Sequence, residues 1–442
     1  MTKDINYIPV PDHETLATST LRSPLGHSFS WWKPTDLFQH PWVLTSPDMF
    51  WRTSINQEHP KARVLMGVPE SQRVFFDSGG YLLYAGKFNG TADEVTDWYN
   101  AAAARGDFCM ILDQPPLHKK EGAFGHFQVE DGSDEEFEHA LRWSTRNARR
   151  MLQRRKGDYD LAAVAHGRTG KTAGKPTEML RWAKTMLQQG EFDGMAFAPR
   201  HSWKLQLMGM VIAHEYMSTK SVHFLGLSGI RPFVLAAYLS SVTDCRVTLD
   251  SSTYLYWGVR RFYSFTGSAE FAALPLRDPW PDNPCSCPVC TWFGVHDLCE
   301  MQNDASTEVA KHLLMLHNLY STLMLAKKVN ALKRNREALV ALASRDTEAI
   351  MDGFDYYLKH GLEKFQQHFP RIDAAVRATF KSSQRTLGTY GPEPRPACEA
   401  CLAQPSVTER FDFSRTTHEL CQPCADLVDR REALLRATYP FP

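Results

Sequence analysis

The sequence lacks net charge: 50 basic side chains balance 50 acidic ones over 442 residues. That excludes attachment to nucleic acid by bulk positive charge, so any basic surface has to be local. Long apolar runs are missing too. The stretch Phe224 to Val242 comes nearest to the roughly 20 residues that cross a bilayer, and Arg231 interrupts it. The opening residues, Met-Thr-Lys-Asp-Ile-Asn, hold no apolar core of the signal-peptide kind. These absences point to a soluble, cytoplasmic protein with no membrane partner. In such a compartment disulfides are disfavoured and clustered cysteines hold metal. There is no internal repeat. With 43% apolar, 23% charged and 12% aromatic residues the composition is that of a globular chain. Its length fits a large domain plus an appendage, or two to three domains.

One motif is incomplete. His166-Gly-Arg-Thr-Gly170-Lys171-Thr172 ends like a phosphate-binding loop, but the glycine required five residues before Gly170 is replaced by Ala165. A nucleotide-triphosphate site is therefore not expected.

What is present falls into four segments. Residues 1–60, rich in Pro, Trp, His and Ser, read as an irregular N-terminal leader with one strand near Trp42 to Thr45. From there short apolar runs alternate with helical patterns. The runs are Val74–Phe76, Phe108–Leu112, Leu161–Ala165, Gly194–Phe197, Val222–Leu225 and Arg246–Leu249. Thr91-Ala-Asp-Glu94 and Ser133-Asp-Glu-Glu136 are capping boxes that start helices. Repeated strand-then-helix units imply a parallel sheet covered by helices, an α/β fold. Asp77, Asp113, His166 and Asp250 stand where runs end. Titratable strand ends favour a (β/α)8 TIM barrel, whose active site is built there, over an open doubly wound sheet. The barrel is assigned to residues 61–375, a linker to 376–396 and a small zinc-binding module to 397–442. Two basic stretches, Arg142 to Lys156 and Lys327 to Arg336, read as solvated helix faces or as contacts to a polyanion.

The cysteines divide unevenly. Cys285, Cys287 and Cys290 lie in Cys-Ser-Cys-Pro-Val-Cys. Three thiolates so close leave one place in a tetrahedral zinc site, with His296, His312 and His317 the nearest downstream candidates. Cys398, Cys401, Cys421 and Cys424 form two Cys-x-x-Cys pairs spaced like a zinc ribbon, with His418 able to replace one ligand. Cys109, Cys245 and Cys299 need no role beyond the core.

Asp77, in Phe-Phe-Asp-Ser-Gly-Gly-Tyr, is followed by Gly79 and Gly80, which let the backbone approach a flat ligand, and by Tyr81, which can stack on it. Asp250 lies in Thr-Leu-Asp-Ser-Ser-Thr-Tyr. Two carboxylates at one barrel mouth suit glycosidic chemistry, one as nucleophile and one moving protons. The plainer reading is that either aspartate caps the next helix.

Asp77-Ser-Gly-Gly-Tyr81, Leu249-Asp250-Ser-Ser-Thr-Tyr254, Cys285-Ser-Cys-Pro-Val-Cys290 and Leu316-His317-Asn-Leu-Tyr320 together resemble the tRNA-guanine transglycosylases, archaeal branch above all, in order and spacing across about residues 60 to 370. The resemblance implies a zinc-containing barrel enzyme, a pentosyltransferase, that exchanges guanine in a polynucleotide for a free 7-deazaguanine. It implies Asp250 as nucleophile, Asp77 as general acid/base and Asp113 as the carboxylate that reads the base. Tyr81 and Leu225 would sandwich that base, with Gly79, Gly80, Gly167 and Gly226 beside it. Cys285, Cys287, Cys290 and His317 would be the structural zinc ligands.

Three departures matter. His166-Gly167 stands where the family has Gln-Gly, so His166 is either a donor to the base or a satisfied core histidine. Ala198-Pro199-Arg200 replaces a different base-seating loop. The RNA-binding C-terminal domains of the archaeal tRNA enzymes are missing, and Cys398, Cys401, Cys421 and Cys424 offer a second zinc site instead. A chain of that kind is similar to the DNA-guanine transglycosylases of 7-deazapurine DNA-modification systems. The expected substrates are therefore DNA and 7-cyano-7-deazaguanine, with helper proteins of the same system as possible partners. Transglycosylation of tRNA is the alternative, and a non-catalytic nucleic-acid-binding or partner subunit is a reading of another class.

Overall fold

The computed structural model describes residues 4–9, 31, 40–46, 68, 72–86, 88–121, 127–169, 176–259, 261–264, 266, 271–273, 285, 287–292, 307–387, 409–413 and 416–420. They fall into two units. One lies within Met1–Ala17, Ser30–Ser252 and Ala326–Phe380, the other within Thr18–Phe29, Thr253–Leu325 and Lys381–Pro442.

The first unit is built on eight parallel strands. They are β1 (Asn6–Pro9), β2 (Trp42–Thr45), β3 (Arg73–Phe76), β4 (Phe108–Met110), β7 (Asp160–His166), β8 (Gly194–Ala198), β9 (Ser221–Phe224) and β10 (Arg246–Ser251). A short antiparallel hairpin, β5 (Leu117–Glu121) with β6 (Phe127–Asp131), follows β4. The strand order is β1-β10-β9-β8-β7-β4-β3-β2, and the two end strands, β1 and β2, touch. The sheet is thus a nearly closed parallel barrel, consistent with the TIM-like architecture read from the titratable strand ends.

All six apolar runs are strands. Residues 1–60, however, are no mere leader: they supply β1 as well as β2, and β1 pairs with β10 in register, Ile8 opposite Asp250. Four residues are too few to show a period, and β1 is fixed instead by contacts far along the chain. Tyr7 donates to the Ser251 carbonyl at 2.5 Å, and Asn330 brackets Ile5 with two hydrogen bonds of 2.9 Å. The assigned linker also begins too early. Among the described residues the last helical segment runs Arg345–Leu387 with a break at Gly361, and no glycine or proline interrupts Arg371 to Leu387.

Alternation along the strands sorts the side chains. Phe75, Phe108 and His223 meet inside the barrel, with ring centroids 5.1 to 6.0 Å apart. Phe76 points the other way, onto Trp98 and Tyr99 of the helix Ala92–Ala102. That helix begins at the Thr91/Glu94 capping box, and the helix Asp134–Arg154 at the Ser133/Glu136 box. Among the described residues no helix is long and apolar enough to cross a membrane.

Candidate active site

Because the eight strands run parallel, their C-terminal ends share one rim, and the titratable strand ends are gathered there. Asp250 lies within β10 and is 7% exposed. Its Oδ1 meets His223 Nε2 at 3.0 Å and accepts the Gly226 amide at 2.9 Å. Gly226 follows β9 with φ +67°, a left-handed conformation that glycine adopts without strain. Leu225 is half-buried beside it, its amide bonded to the Phe197 carbonyl at 2.8 Å. The Tyr7 hydroxyl is pushed well above its ordinary range by burial and then by the charge of Asp250. His40 contacts the Tyr7 carbonyl through Nε2 at 2.9 Å. Burial holds its imidazole down at about 4, against a weaker opposing effect of that bond.

Asp77 follows β3, half-buried, its amide donating to Thr45 O at 2.8 Å. Gly79 caps the short helix Gly80–Tyr84 with φ +77°. The next glycine is required by contact: a Cβ on Gly80 would sit 2.4 Å from the Asp113 carbonyl oxygen and 2.7 Å from its Oδ1. Tyr81 is 57% exposed, so its ring face is open to a ligand.

Asp113 is buried and held on both oxygens. The Ser78 hydroxyl donates to Oδ1 at 3.2 Å, and His166 Nε2 meets Oδ2 at 2.5 Å. His166 is therefore bound to the Asp113 carboxylate, while its Nδ1 is buried with no hydrogen-bond partner among the described residues. A buried polar atom without a partner is costly and suits a site that a ligand completes. Gly167 is buried against Leu205. Beyond it Arg168 is locked by Glu178 and by Asp134. Arg200 and His201, after β8, have φ of +49° and +61°, and Arg200 is anchored to Asp131 at 2.5 Å. Two consecutive non-glycine residues in this region mark a strained turn at the rim.

Two residues of the site escape a sequence reading. Ser78 sits inside the Asp-Ser-Gly-Gly motif without a residue-specific signal. His223 could have been noticed as the one polar residue in Val222–Leu225, on the opposite strand face from Val222 and Phe224.

The second unit carries the metal candidate. Cys285, Cys287, Cys290 and His317 are all buried, and one ligand atom from each lies within 4.8 Å of the others. His317 Nε2 donates to the Ser264 carbonyl at 2.7 Å, which fixes the tautomer and leaves Nδ1, 3.3 to 3.4 Å from two of the sulfurs, as an electron-pair donor. The ring of Tyr263 stacks on that of His317, centroids 3.9 Å apart. Backbone amides of Cys287 and Cys290 donate to sulfur, each at 3.2 Å. Cys285 is held well below the ordinary thiol range, chiefly by its hydrogen bond with Cys287, whereas Cys287 and Cys290 are pushed up, chiefly by Cys285. This Cys3His set could hold a metal ion such as zinc. His312 does not join it, and His296 lies outside the described residues. So do Cys398, Cys401, Cys421 and Cys424.

The basic stretches are paired in part. Arg150 and Arg154 form two-pronged bridges to Asp93 and Asp97, Arg155 bridges Asp193, and Arg149 binds Gln189. Lys333 bridges Asp4 at 2.5 Å, and Arg336 bridges Asp352 and Asp355. No protein-family model and no curated protein matches the chain.

Proposed function

We propose that the chain is a guanine transglycosylase that replaces guanine in DNA by a 7-deazaguanine, the 7-cyano form being the expected substrate. The observation that supports this most is the gathering of Asp77, Asp113 and Asp250 on one barrel rim beside the exposed ring of Tyr81.

In this reading one oxygen of Asp250 attacks the sugar C1′ as the C1′–N9 bond breaks, and the guanine leaves with a proton from Asp77. The covalent glycosyl-enzyme is resolved when the incoming base gives its N9 proton to Asp77 and attacks C1′, releasing Asp250 as a carboxylate. Asp113 accepts the two adjacent N–H donors of the guanine edge through lone pairs that Ser78 and His166 leave over. Tyr81 stacks on the base once the nucleotide has left its helix, a step that costs a few kcal/mol. Zinc on Cys285, Cys287, Cys290 and His317 would be structural, since four protein ligands leave no open position. A second zinc on Cys398, Cys401, Cys421 and Cys424 belongs to the same proposal.

The test is nucleoside analysis of DNA and tRNA after incubation with labelled guanine or 7-cyano-7-deazaguanine. Exchange in DNA, abolished by Asp250→Asn, is expected. Exchange in tRNA alone would move the activity to the tRNA reading, and full activity of Asp250→Asn would remove the nucleophile assignment.

A further inference from the structure

Asp250 is not held by the residues that a strand-end motif supplies. Its Oδ1 accepts from the Gly226 amide and faces His223 Nε2, while Oδ2 is engaged by neither. His223 itself has no contact with solvent. Phe75 and Phe108 wall its ring, with centroids 5.3 and 6.0 Å away. Its Nδ1 meets the Thr248 hydroxyl at 2.8 Å, and Thr248 is within 3.1 Å of the Val222 carbonyl. Thr248 and Asp250 share one face of β10, two residues apart, and both ring nitrogens of His223 are thereby used by that strand.

We propose that His223 is a positioning residue which, resting on the transglycosylase reading, clamps Oδ1 of Asp250 so that Oδ2 is the oxygen that attacks C1′. The tautomer that leaves Asp250 ionised carries its proton on Nε2 and takes at Nδ1 the one hydrogen of the Thr248 hydroxyl, which then turns from the Val222 carbonyl to the ring. Two donors on one oxygen fix the carboxylate rotamer and withdraw charge from the side that does not react. Oδ2 bonds to C1′ as C1′–N9 breaks, with the N9 electron pair taking its proton from Asp77. In the return step the incoming base attacks C1′, its N9 proton passes to Asp77, and Oδ2 departs with the bonding pair. At that stage the donors on Oδ1 help the carboxylate leave, and the phenyl rings of Phe75 and Phe108 keep water from the His223 imidazole.

Asparagine and glutamine separate the two ends of the imidazole. The amide nitrogen of Gln reaches the Nε2 position, and that of Asn only the Nδ1 position. The purified chain and its His223→Gln, His223→Asn and Thr248→Val variants would be assayed for base exchange on DNA and on tRNA, with a thermal melt for each. With the clamp as described, His223→Asn lowers kcat by about 100-fold and His223→Gln by no more than about 10-fold, while the KM for the free base moves by less than about 3-fold. Thr248→Val, nearly isosteric, lowers kcat by about 10-fold by freeing the ring, and serves if the histidine variants fail to fold. Equal kcat for Asn and Gln, or an unchanged kcat for Thr248→Val, overturns the clamp while the transglycosylase reading stands. A wild-type chain that exchanges base in neither polymer removes that reading and the clamp with it.

Discussion

At the scale of single residues, the rim is made by side chains that constrain one another across the barrel. Gly80 shows how tight this is. Any Cβ there collides with Asp113 main chain and carboxylate, so Gly80→Ala is expected to cost about 1 to 3 kcal/mol and, on the proposed transglycosylase reading, to weaken base binding. A thermal melt together with the KM for the free base checks both; a variant with wild-type values in each would mean that the Asp113 loop moves freely. His40 gives a pH dependence of known sign. Its imidazole titrates near 4 in the folded chain and at about 6.5 when unfolded. The unfolded chain therefore binds the extra proton first. The contribution of His40 is fully present above the unfolded value and is lost as pH falls from about 6.5 to 4, by at most about 1.4 kcal/mol per unit. His40→Asn is expected to flatten the acid side of a pH-stability profile, measured by denaturant unfolding between pH 4 and 7.

At the scale of elements, the metal candidate is two segments that meet at one point. Cys285, Cys287 and Cys290, the last within the short helix Pro288–Trp292, supply three sulfurs, and the helix Thr307–Leu332 supplies His317. Two of the thiols are pushed up by sharing their protons with Cys285, so binding a cation releases protons and strengthens as pH rises through the thiol range. Zinc titration at pH 6 and pH 8 is expected to show tighter binding at the higher pH, and His317→Ala is expected to lose the metal and lower the melting temperature. Metal analysis of residues 1–442 and of a Cys398→Ser/Cys401→Ser form separates this site from the proposed second one. The helix Asp134–Arg154 makes a different point. Its sequence looks like a polyanion-binding face, yet Arg150 and Arg154 are bound to carboxylates of the preceding helix. Exposed pairs of this kind are worth about 0 to 1 kcal/mol each. Arg150→Gln/Arg154→Gln is expected to leave the KM for the polynucleotide within about 2-fold, because those charges are already neutralised. A steep loss of binding, read with its salt dependence, would restore the helix as a contact surface.

At the scale of the whole molecule, much of the fold was legible. Val74–Phe76 through Arg246–Leu249 alternate with capped helices, and that local pattern is enough to name an α/β fold with parallel strands. Strand ends are equally visible, because an apolar run stops where a carboxylate or imidazole begins, as at Asp77, Asp113, His166 and Asp250. The cysteine trio is visible through its spacing as a metal candidate, but spacing does not say which histidine joins it. Other features depend on partners distant in the chain. That β1 closes on β10 follows from Ile8 lying opposite Asp250, a pairing no window of sequence contains. Asp113 is bound by His166, 53 residues on, Asp250 by His223, 27 residues back, and Arg150 by Asp93 across 57 residues. What the amino-acid order determined by itself is therefore the period of each element and the chemical type at its end. Tertiary structure alone decided which of those groups share a hydrogen bond, since that depends on parallel register bringing equivalent strand ends to one rim, where distances of about 3 Å separate a carboxylate held by a distant histidine from one that caps a helix.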